Sequence, residues 1–482
     1  MVITPCVMKA RIRTLLLILL PITPLIHVAR ADMAAQINAV IRKPAHKNLR
    51  FAVHVVKADS GKTVYAHNAS RPMIPASNMK IIVTATALKL LGADYHYTTK
   101  VGMCDDKLVI IGSGDPLLGD EATDGKYGRK SGWLFHDIAE KLKASGIATI
   151  NDIIIDSTVF DDNRVHPSWP ANQLNQWYAC EVSGLNYNDN CIDITVRNIG
   201  GRVKVLTEPK TNFVKIVNKV KPIKNGSGAI GALRNNQPNV FTVTGKCKKQ
   251  QGPVPVAIER PPAFFGYLLA EKLIGAGLNT TGRLVEKGVP DQCDFRLIAE
   301  YRTPMADCLA RSNKNSLGLV AEALLKTIAA KSEPGGKNGS WEGGRRVVSK
   351  FLTGLGIDKS EFYIDDGSGL SRQNRLTAGA LTKVLLHVYK SPEWPVYRDS
   401  LAVGGVDGTI GKYFREPEYK GKIRGKTGYI RGVKSFSGVC SSEKGDYIFA
   451  ILVNINEKKP YASIKRSEIN NIAKAIIQSD TD

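Results

Sequence analysis

The spacing of apolar residues predicts helices in several parts of the chain. Before Gly92 they recur every three or four positions, so we expect a helix that Ser77 opens and Gly92 ends. The same spacing over 319–326 and from Ile464 to Ile476 predicts two more helices. The first helix therefore starts beside a serine.

Short apolar runs near both ends of the chain predict strands. The runs 50–56 and 63–66 enclose turn-forming residues, as do 433–440 and 447–454, so each pair predicts a hairpin. Together with the helices, the hairpins predict an α/β (α+β) fold in which helices flank an antiparallel sheet. We expect this sheet to bring the two chain ends together.

Composition and the N-terminal segment indicate an exported globular protein. The chain has 482 residues, of which 43% are hydrophobic and 23% charged, which is typical of two or three folded domains and excludes a disordered chain. Basic residues precede the apolar run 14–20, and Ala29-Arg30-Ala31 follows it. This order predicts a signal peptide over 1–31 and export to the periplasm or the extracellular space. The alternative is a retained N-terminal anchor.

The chain is strongly basic, with a formal net charge of +23. Removing 1–31 takes away four basic residues and no acidic one, which leaves +19. An exported chain of this charge is expected to associate with an anionic wall or membrane surface by unspecific attraction, and not with nucleic acid. Alternatively, cations on the predicted strands at 202–205 and 214–217 only discourage aggregation between strand edges.

Cysteine and histidine do not indicate a site. The chain without 1–31 keeps seven cysteines, so at least one is unpaired within the monomer. Cys180 and Cys191 could bridge a short loop, although the sequence does not fix the pairing. We predict no metal and no cofactor, because no Cys/His spacing fits zinc. The histidines lack a nucleophile-elbow pattern, which argues against a Ser-His-Asp hydrolase.

Two pairs of short motifs compete for the role of a serine acyl-transfer site. The S-x-x-K pattern occurs at 77–80 and 441–444, and K-[ST]-G occurs at 426–428 and 130–132. We interpret 441–444 as a hairpin turn and Ser131 as the N-cap of a helix. The pair 77–80 and 426–428 remains, in the order that such sites require.

Ser77 and Lys80 are suited to be nucleophile and base. They are three residues apart on the predicted helix, so the Lys80 ammonium can lie beside the Ser77 hydroxyl. The positive end of the helix dipole would favour an alkoxide and a neutral lysine. The alternative is a serine that only caps the helix.

A second serine motif is expected between these two, and Ser316-Leu317-Gly318 before the helix at 319–326 is the candidate. The set resembles the D-alanyl-D-alanine carboxypeptidase and endopeptidase family of penicillin-binding protein 4. The segments 112–116, 365–371 and 405–409 match further family landmarks. This resemblance covers almost the whole exported chain.

The chain departs from the family pattern at two positions. Gly318 replaces the asparagine of the family's S-x-N motif, and Asn313 or Asn315 could compensate in another register. Gln173 lies near a position where many relatives carry an acidic residue proposed to recognise the diaminoacid of the substrate. The diaminoacid preference is therefore open.

The resemblance implies a fold and a mechanism. The fold is transpeptidase-like, with a discontinuous catalytic domain at 32–98 and 300–482 and a strand-rich insert, of one or two domains, at 99–299. A chain as long as that between Lys80 and Ser316 also requires a folded insert.

The implied substrates are peptidoglycan peptides ending in D-Ala-D-Ala, with β-lactams as covalent inhibitors. Lys80 would activate Ser77, and the N–H groups of Ser77 and Tyr429 would bind the oxyanion. Ser316 would protonate the leaving amine, and Lys426 and Thr427 would hold the terminal carboxylate. Gly428 would leave room for the substrate backbone.

Two alternatives to this peptidase remain. A β-lactamase of the same fold would need a deacylating glutamate, and no E-x-x-L-N segment follows Gly318. The second alternative is a noncatalytic wall-binding relative, in which Gly318 would mark the decay of the catalytic site. Against it, Ser77, Lys80, Ser316 and Lys426 are all retained.

Overall fold

The computed structural model describes residues 1–2, 32–290, 292–332, 334–456 and 464–478. Apart from its first two residues, the predicted signal peptide lies outside this part of the chain. No helix among the described residues is long and apolar enough to cross a membrane.

The described part of the chain contains both helices and strands, with six consecutive strands from 191 to 257. The α-helices are α1 Met33–Ile41, α2 Met79–Leu91, α3 Glu121–Lys126, α4 Trp133–Ala144, α5 Pro261–Gly275, α6 Met305–Asn313, α7 Gly318–Ser332, α8 Trp341–Gly354, α9 Ala378–Tyr389, α10 Trp394–Ser400 and α11 Arg466–Ile477. The strands are β1 Leu49–Lys57, β2 Thr63–His67, β3 His96–Cys104, β4 Lys107–Ile111, β5 Thr149–Ile150, β6 Ile153–Asp156, β7 Cys191–Ile199, β8 Arg202–Glu208, β9 Lys215–Pro222, β10 Ala229–Arg234, β11 Val240–Cys247, β12 Gln250–Ala257, β13 Asn279–Thr280, β14 Leu284–Glu286, β15 Arg296–Pro304, β16 Phe362–Tyr363, β17 Arg375–Leu376, β18 Ala402–Val403, β19 Ile423–Ile430, β20 Val433–Ser442 and β21 Gly445–Ile455.

A six-stranded sheet joins the two ends of the chain, as the sequence predicts. Its order is β18-β19-β20-β21-β1-β2. Every neighbouring pair is antiparallel, and Leu49 of β1 lies opposite Ile455 of β21. Both predicted hairpins are therefore present and belong to this one sheet.

Alternation along the strands supplies two hydrophobic cores, one on each face of this sheet. In β1, Phe51, Val53 and Val55 pack with α1 and α11, whereas Ala52 and Val56 pack with α2 and α9. The second face therefore carries the helix that follows Ser77.

The segment between β3 and β15 is rich in strands. A five-stranded sheet has the order β14-β6-β4-β3-β15, and two three-stranded sheets have the orders β10-β11-β9 and β12-β7-β8. The strands expected at 108–111, 150–155 and 192–196 are present as β4, as β5 with β6, and as β7. The domain limits near 98 and 300 remain predictions, and β3 pairs with β15 across them.

The structure corrects two expectations. Cys180 and Cys191 are buried free thiols in the core, whereas Cys104 forms a disulfide with Cys293. Ser131 is not the N-cap of α4. Gly132 occupies that position with φ of 74°, and the Ser131 hydroxyl is drawn away because it donates to Glu208 Oε1 at 2.6 Å.

Candidate active site

The predicted site residues gather around one cleft with a cavity volume of about 1010 Å³. Ser77, Lys80, Ser316, Thr427 and Tyr429 all line it. These residues come from the start of α2, the turn before α7, and β19, which are far apart in sequence. The fold therefore brings together three motifs that are far apart in the sequence.

Ser77 lies in a 3-10 turn, Ala76–Asn78, directly before α2. Lys80 follows in the first turn of α2, and its Nζ donates to Ser77 Oγ at 3.3 Å and to the Ser368 carbonyl oxygen at 2.7 Å. Its side chain has little freedom, because Lys80 is only 2% exposed. The expected pairing of a hydroxyl with a neighbouring lysine is therefore present.

The environment of Lys80 favours its neutral form. Burial lowers the pKa of Lys80 to about 8, although the nearby carboxylates of Glu322 and Asp366 act in the opposite direction. About a tenth of Lys80 is therefore neutral at pH 7, and this fraction, which is the form that a general base requires, rises with pH.

Two buried carboxylates hold the loop that contains Ser368. Glu322 accepts hydrogen bonds from the backbone N–H groups of Gly367 and Ser368, at 2.9 and 2.7 Å, and from Trp341 Nε1 at 2.8 Å. Burial and the charge of Asp366 raise the pKa of Glu322 to about 7.

Asp366 organises the same loop from the other side. It accepts the N–H groups of Gly369 and Ser371, at 2.8 and 2.7 Å, and Trp169 Nε1 at 2.9 Å. The two carboxylates together fix the loop whose Ser368 carbonyl oxygen accepts a hydrogen bond from Lys80 Nζ.

Ser316, which lines the cleft, forms a second polar pair with Lys426, which does not itself line it. Lys426 Nζ donates to Ser316 Oγ and to the Thr427 carbonyl oxygen, both at 2.8 Å. Lys426 is fully buried, and burial, followed by the positive charges of Lys80 and Arg466, holds its pKa well below the usual range. An anion bound here would reverse that effect by favouring the charged lysine.

Strand β19 lies directly against the Ser77 turn. Asn78 Nδ2 donates to the Lys426 carbonyl oxygen at 2.7 Å, which ties the turn to the strand. A Cβ atom at Gly428 would approach Ser77 N to 2.9 Å and clash with Ser435 Oγ, so only glycine fits. Tyr429 follows at the open edge and is 67% exposed.

Gly318 begins α7 and lines the cleft. A Cβ atom at this position would lie 3.2 Å from the Tyr178 carbonyl oxygen. Asn313 does not compensate for the missing amide, because it is buried and donates to Ser400 Oγ at 2.9 Å. Asn315, in contrast, lines the cleft.

Gln173, near the position where many relatives carry an acidic residue, also lines the cleft. Its Oε1 accepts a hydrogen bond from Tyr178 Oη at 3.3 Å. The neutral side-chain amide of Gln173 therefore already has a hydrogen-bond partner within the chain, at the wall of the cleft.

The competing S-x-x-K motif at 441–444 is a hairpin turn, as predicted. Ser442 pairs with Gly445 across it, and Ser441 Oγ donates to Asp446 Oδ1 at 2.7 Å. None of the described histidines lines the cleft. The most buried of these, His166, lies 2.9 Å from the Asp365 carbonyl oxygen through Nε2.

Several residues that shape the site were missed by the sequence analysis. They are Asn78, Glu322, Asp366, Ser368 and Thr409, whose Oγ1 lies 3.0 Å from Thr427 Oγ1. The segments 365–371 and 405–409 were noticed only as family landmarks. Without that resemblance they would be taken as polar loops.

The chain matches the model of a known protein family. The model of the D-Ala-D-Ala carboxypeptidase 3 (S13) family matches residues 33–475. Among characterised relatives, the D-alanyl-D-alanine carboxypeptidase of Actinomadura sp. strain R39 is 28% identical over 453 residues, covering 88% of this chain and 81% of its own length.

Solved structures share the fold. Penicillin-binding protein 4 (dacB) from Haemophilus influenzae has a TM-score of 0.76 and 22% identity, over 91% of this chain and 98% of its own. A penicillin G-acylated predatory endopeptidase from Bdellovibrio bacteriovorus has a TM-score of 0.50 and 16% identity, over 89% of this chain and 92% of its own.

Proposed function

Because this chain belongs to the D-Ala-D-Ala carboxypeptidase 3 (S13) family, which makes it a serine-type D-Ala-D-Ala carboxypeptidase, we propose that Ser77 is its nucleophile. The observation that carries this proposal is the pairing of Ser77 Oγ with Lys80 Nζ in a cleft that Ser316 also lines. Peptidoglycan stem peptides are the substrates.

Acylation follows from these contacts. Neutral Lys80 takes the proton of the Ser77 hydroxyl as Oγ attacks the carbonyl carbon between the two terminal D-alanines. The N–H groups of Ser77 and Tyr429 bind the oxygen on which negative charge develops. The family resemblance supports this pair of donors, as does the close approach of Gly428 to Ser77 N.

Collapse of this intermediate breaks the peptide bond. Ser316, held by a hydrogen bond from Lys426 Nζ at 2.8 Å, passes its proton to the leaving amine. The proton that Lys80 took from Ser77 replaces it, so Lys80 is neutral again before deacylation. Lys426 and Thr427 hold the terminal carboxylate of the substrate. Water then attacks the acyl-enzyme, Lys80 acting again as base, and releases the shortened peptide.

Cross-linked peptides are a second class of substrate. Cleaving a D,D cross-link breaks the same kind of amide with a larger leaving group. The cavity of about 1010 Å³, open along the edge of β19, is far larger than a terminal D-alanine and favours such a substrate.

The proposed location follows from the same chemistry. Stem peptides lie outside the cytoplasmic membrane, so the enzyme is exported, to the periplasm or the extracellular space. Its positive charge attracts it to anionic wall or membrane surfaces.

Penicillin tests the nucleophile, the base and deacylation together. We expect intact-protein mass spectrometry to show a persistent penicilloyl adduct on residues 32–482 and none on the Ser77→Ala variant. Rapid loss of the adduct with hydrolysed drug would instead indicate a β-lactamase. An unmodified protein with intact drug would favour the noncatalytic alternative, and Gly318 would be the first residue to test as the cause of inactivity.

A further inference from the structure

One end of the strand-rich segment carries a concentration of positive charge. Between Glu208 and Glu259 the sequence contains no acidic residue. Eight exposed cations near the β7–β8 and β11–β12 turns form what we call the cationic pole: Arg197, Arg202, Lys204, Lys221, Lys224, Lys246, Lys248 and Lys249.

Strand pairing holds these residues close together. Arg197 lies opposite Lys204 across β7 and β8, and Lys221 lies beside Lys246 across β9 and β11. Asn198 Nδ2 donates to the Lys248 carbonyl oxygen at 3.0 Å, which joins the two turns. The charges of two sheets therefore meet at one end of the strand-rich segment.

The positive charge of the pole is not neutralised within the described chain. None of its eight residues forms an ion pair with a described carboxylate, whereas many other lysines and arginines do. Glu208 lies at the opposite end of β8, paired with Asp193 and bonded to Ser131. Like charges at this spacing repel, so an external anion would be attracted strongly.

An exposed apolar residue lies at one of these two turns. Ile199 is 63% exposed at the tip of the β7–β8 hairpin, between Arg197 and Arg202 and followed by Gly200-Gly201. An exposed aliphatic side chain among cations fits the interface of a bilayer, where the charges meet phosphate and the side chain meets acyl chains. A soluble polyanion would gain nothing from Ile199.

We propose that the cationic pole docks the enzyme on an anionic phospholipid bilayer, with Ile199 at the headgroup boundary. This inference rests on the proposed export of the enzyme and assigns the surface attraction to one defined end of the fold. Docking through this end would hold the enzyme at the membrane by contacts that lie outside the catalytic cleft.

Vesicle co-sedimentation tests this proposal with residues 32–482. We expect binding to phosphatidylcholine vesicles that contain phosphatidylglycerol, weak binding to phosphatidylcholine alone, and release as salt rises. Each lost cation should weaken binding about fivefold. The variant Lys246→Gln/Lys248→Gln/Lys249→Gln should therefore bind about a hundredfold more weakly, and Ile199→Ser should bind several-fold more weakly at constant charge.

The matched control is Lys62→Gln/Lys350→Gln/Lys359→Gln, which removes the same charge from exposed positions elsewhere. Equal losses in the two triple variants would overturn the pole as the docking site. So would preferential binding of a poly(glycerol phosphate) chain over vesicles, or unchanged binding of Ile199→Ser. Penicillin acylation, measured on every variant, reports the proposed catalytic function separately, so failure of one proposal is distinguishable from failure of the other.

Discussion

Glu322 influences Lys80 in two ways. Its carboxylate fixes the backbone of Gly367 and Ser368, and so aims the Ser368 carbonyl at Lys80 Nζ. Its negative charge also raises the pKa of Lys80 against the larger lowering effect of burial. We therefore regard Glu322 as a positioning residue for the base.

This interpretation predicts a shift in a pH profile. Lys80 must be neutral to accept a proton, so the rate of penicillin acylation should rise with pH through about 8. Glu322→Gln removes a negative charge and lowers the pKa of Lys80, so the half-maximal rate should move to lower pH. Stopped-flow acylation at a series of pH values measures this shift.

The control for this prediction is Glu322→Asp, which keeps the charge but shortens the side chain. We expect it to reduce the rate at all pH values and to leave the midpoint near that of the parent. A Glu322→Gln profile with an unchanged midpoint would show that the carboxylate acts only through structure.

Gly318 offers a second test at the scale of one residue. Lys80 already has the Ser368 carbonyl as an acceptor, so an asparagine at 318 should change the acylation rate by less than about threefold. Its Cβ requires Tyr178 to move by a few tenths of an ångström, which should change the free energy of unfolding by less than about 1.5 kcal/mol. Gly318→Ala isolates the Cβ contact. An acceleration above tenfold in Gly318→Asn alone would contradict this view.

The sequence revealed those site residues whose partners are close in the chain. Ser77 and Lys80 are three residues apart, so helical spacing alone predicts their contact. The contact of Lys80 with Ser368 spans 288 positions, and only the folded loop brings it about. The sequence predicted that Glu322 belongs to a helix, but it did not predict that Glu322 is buried beneath this loop.

At the scale of elements, the fit of β19 against the Ser77 turn depends on Gly428. We expect Gly428→Ala to reduce the penicillin acylation rate at least tenfold, because the added methyl group would separate the strand from Ser77 N. Overpacking should also lower the free energy of unfolding by about 1–3 kcal/mol. Acylation kinetics and urea unfolding provide the two measurements.

A glycine in open space serves as the control. Gly231 lies in β10 and a Cβ atom there would meet no atom within 4 Å, so Gly231→Ala should leave both quantities unchanged. If Gly428→Ala acylates at the parental rate, the strand does not need this close approach.

Helices and hairpins were predictable because local alternation determines them, as with β1 and β2 around 58–62. The cap of α4 was not, since the Ser131 hydroxyl bonds to Glu208, which is distant in the sequence. The parallel pairing of β9 with β11 could not be predicted either, because the period of apolar residues does not specify which strands pair.

At the scale of the whole molecule, Cys104–Cys293 closes a loop with a sequence separation of 189. We expect Cys104→Ser/Cys293→Ser to lower the free energy of unfolding of this part of the chain by about 2–4 kcal/mol, because the unbridged chain gains entropy when it unfolds. Urea titration measures the loss. The acylation rate should stay within about twofold, since neither cysteine lines the cleft.

Cys104→Ser alone breaks the same bond and should match the double variant. An unchanged urea midpoint in both would show that the disulfide does not stabilise this region. The sequence could not supply this pairing, because seven cysteines allow many combinations and only the fold brings the end of β3 beside residue 293.

The sheet that unites the chain ends also determines when the enzyme becomes active. Leu49 leaves the ribosome early, but its partner Ile455 follows only near the end of translation. A nascent chain that stops before β19 carries Ser77 and Lys80 without Lys426 and without the central strands of the sheet. We therefore expect peptidase activity only once synthesis is nearly complete, because shorter chains lack Lys426, which donates to Ser316.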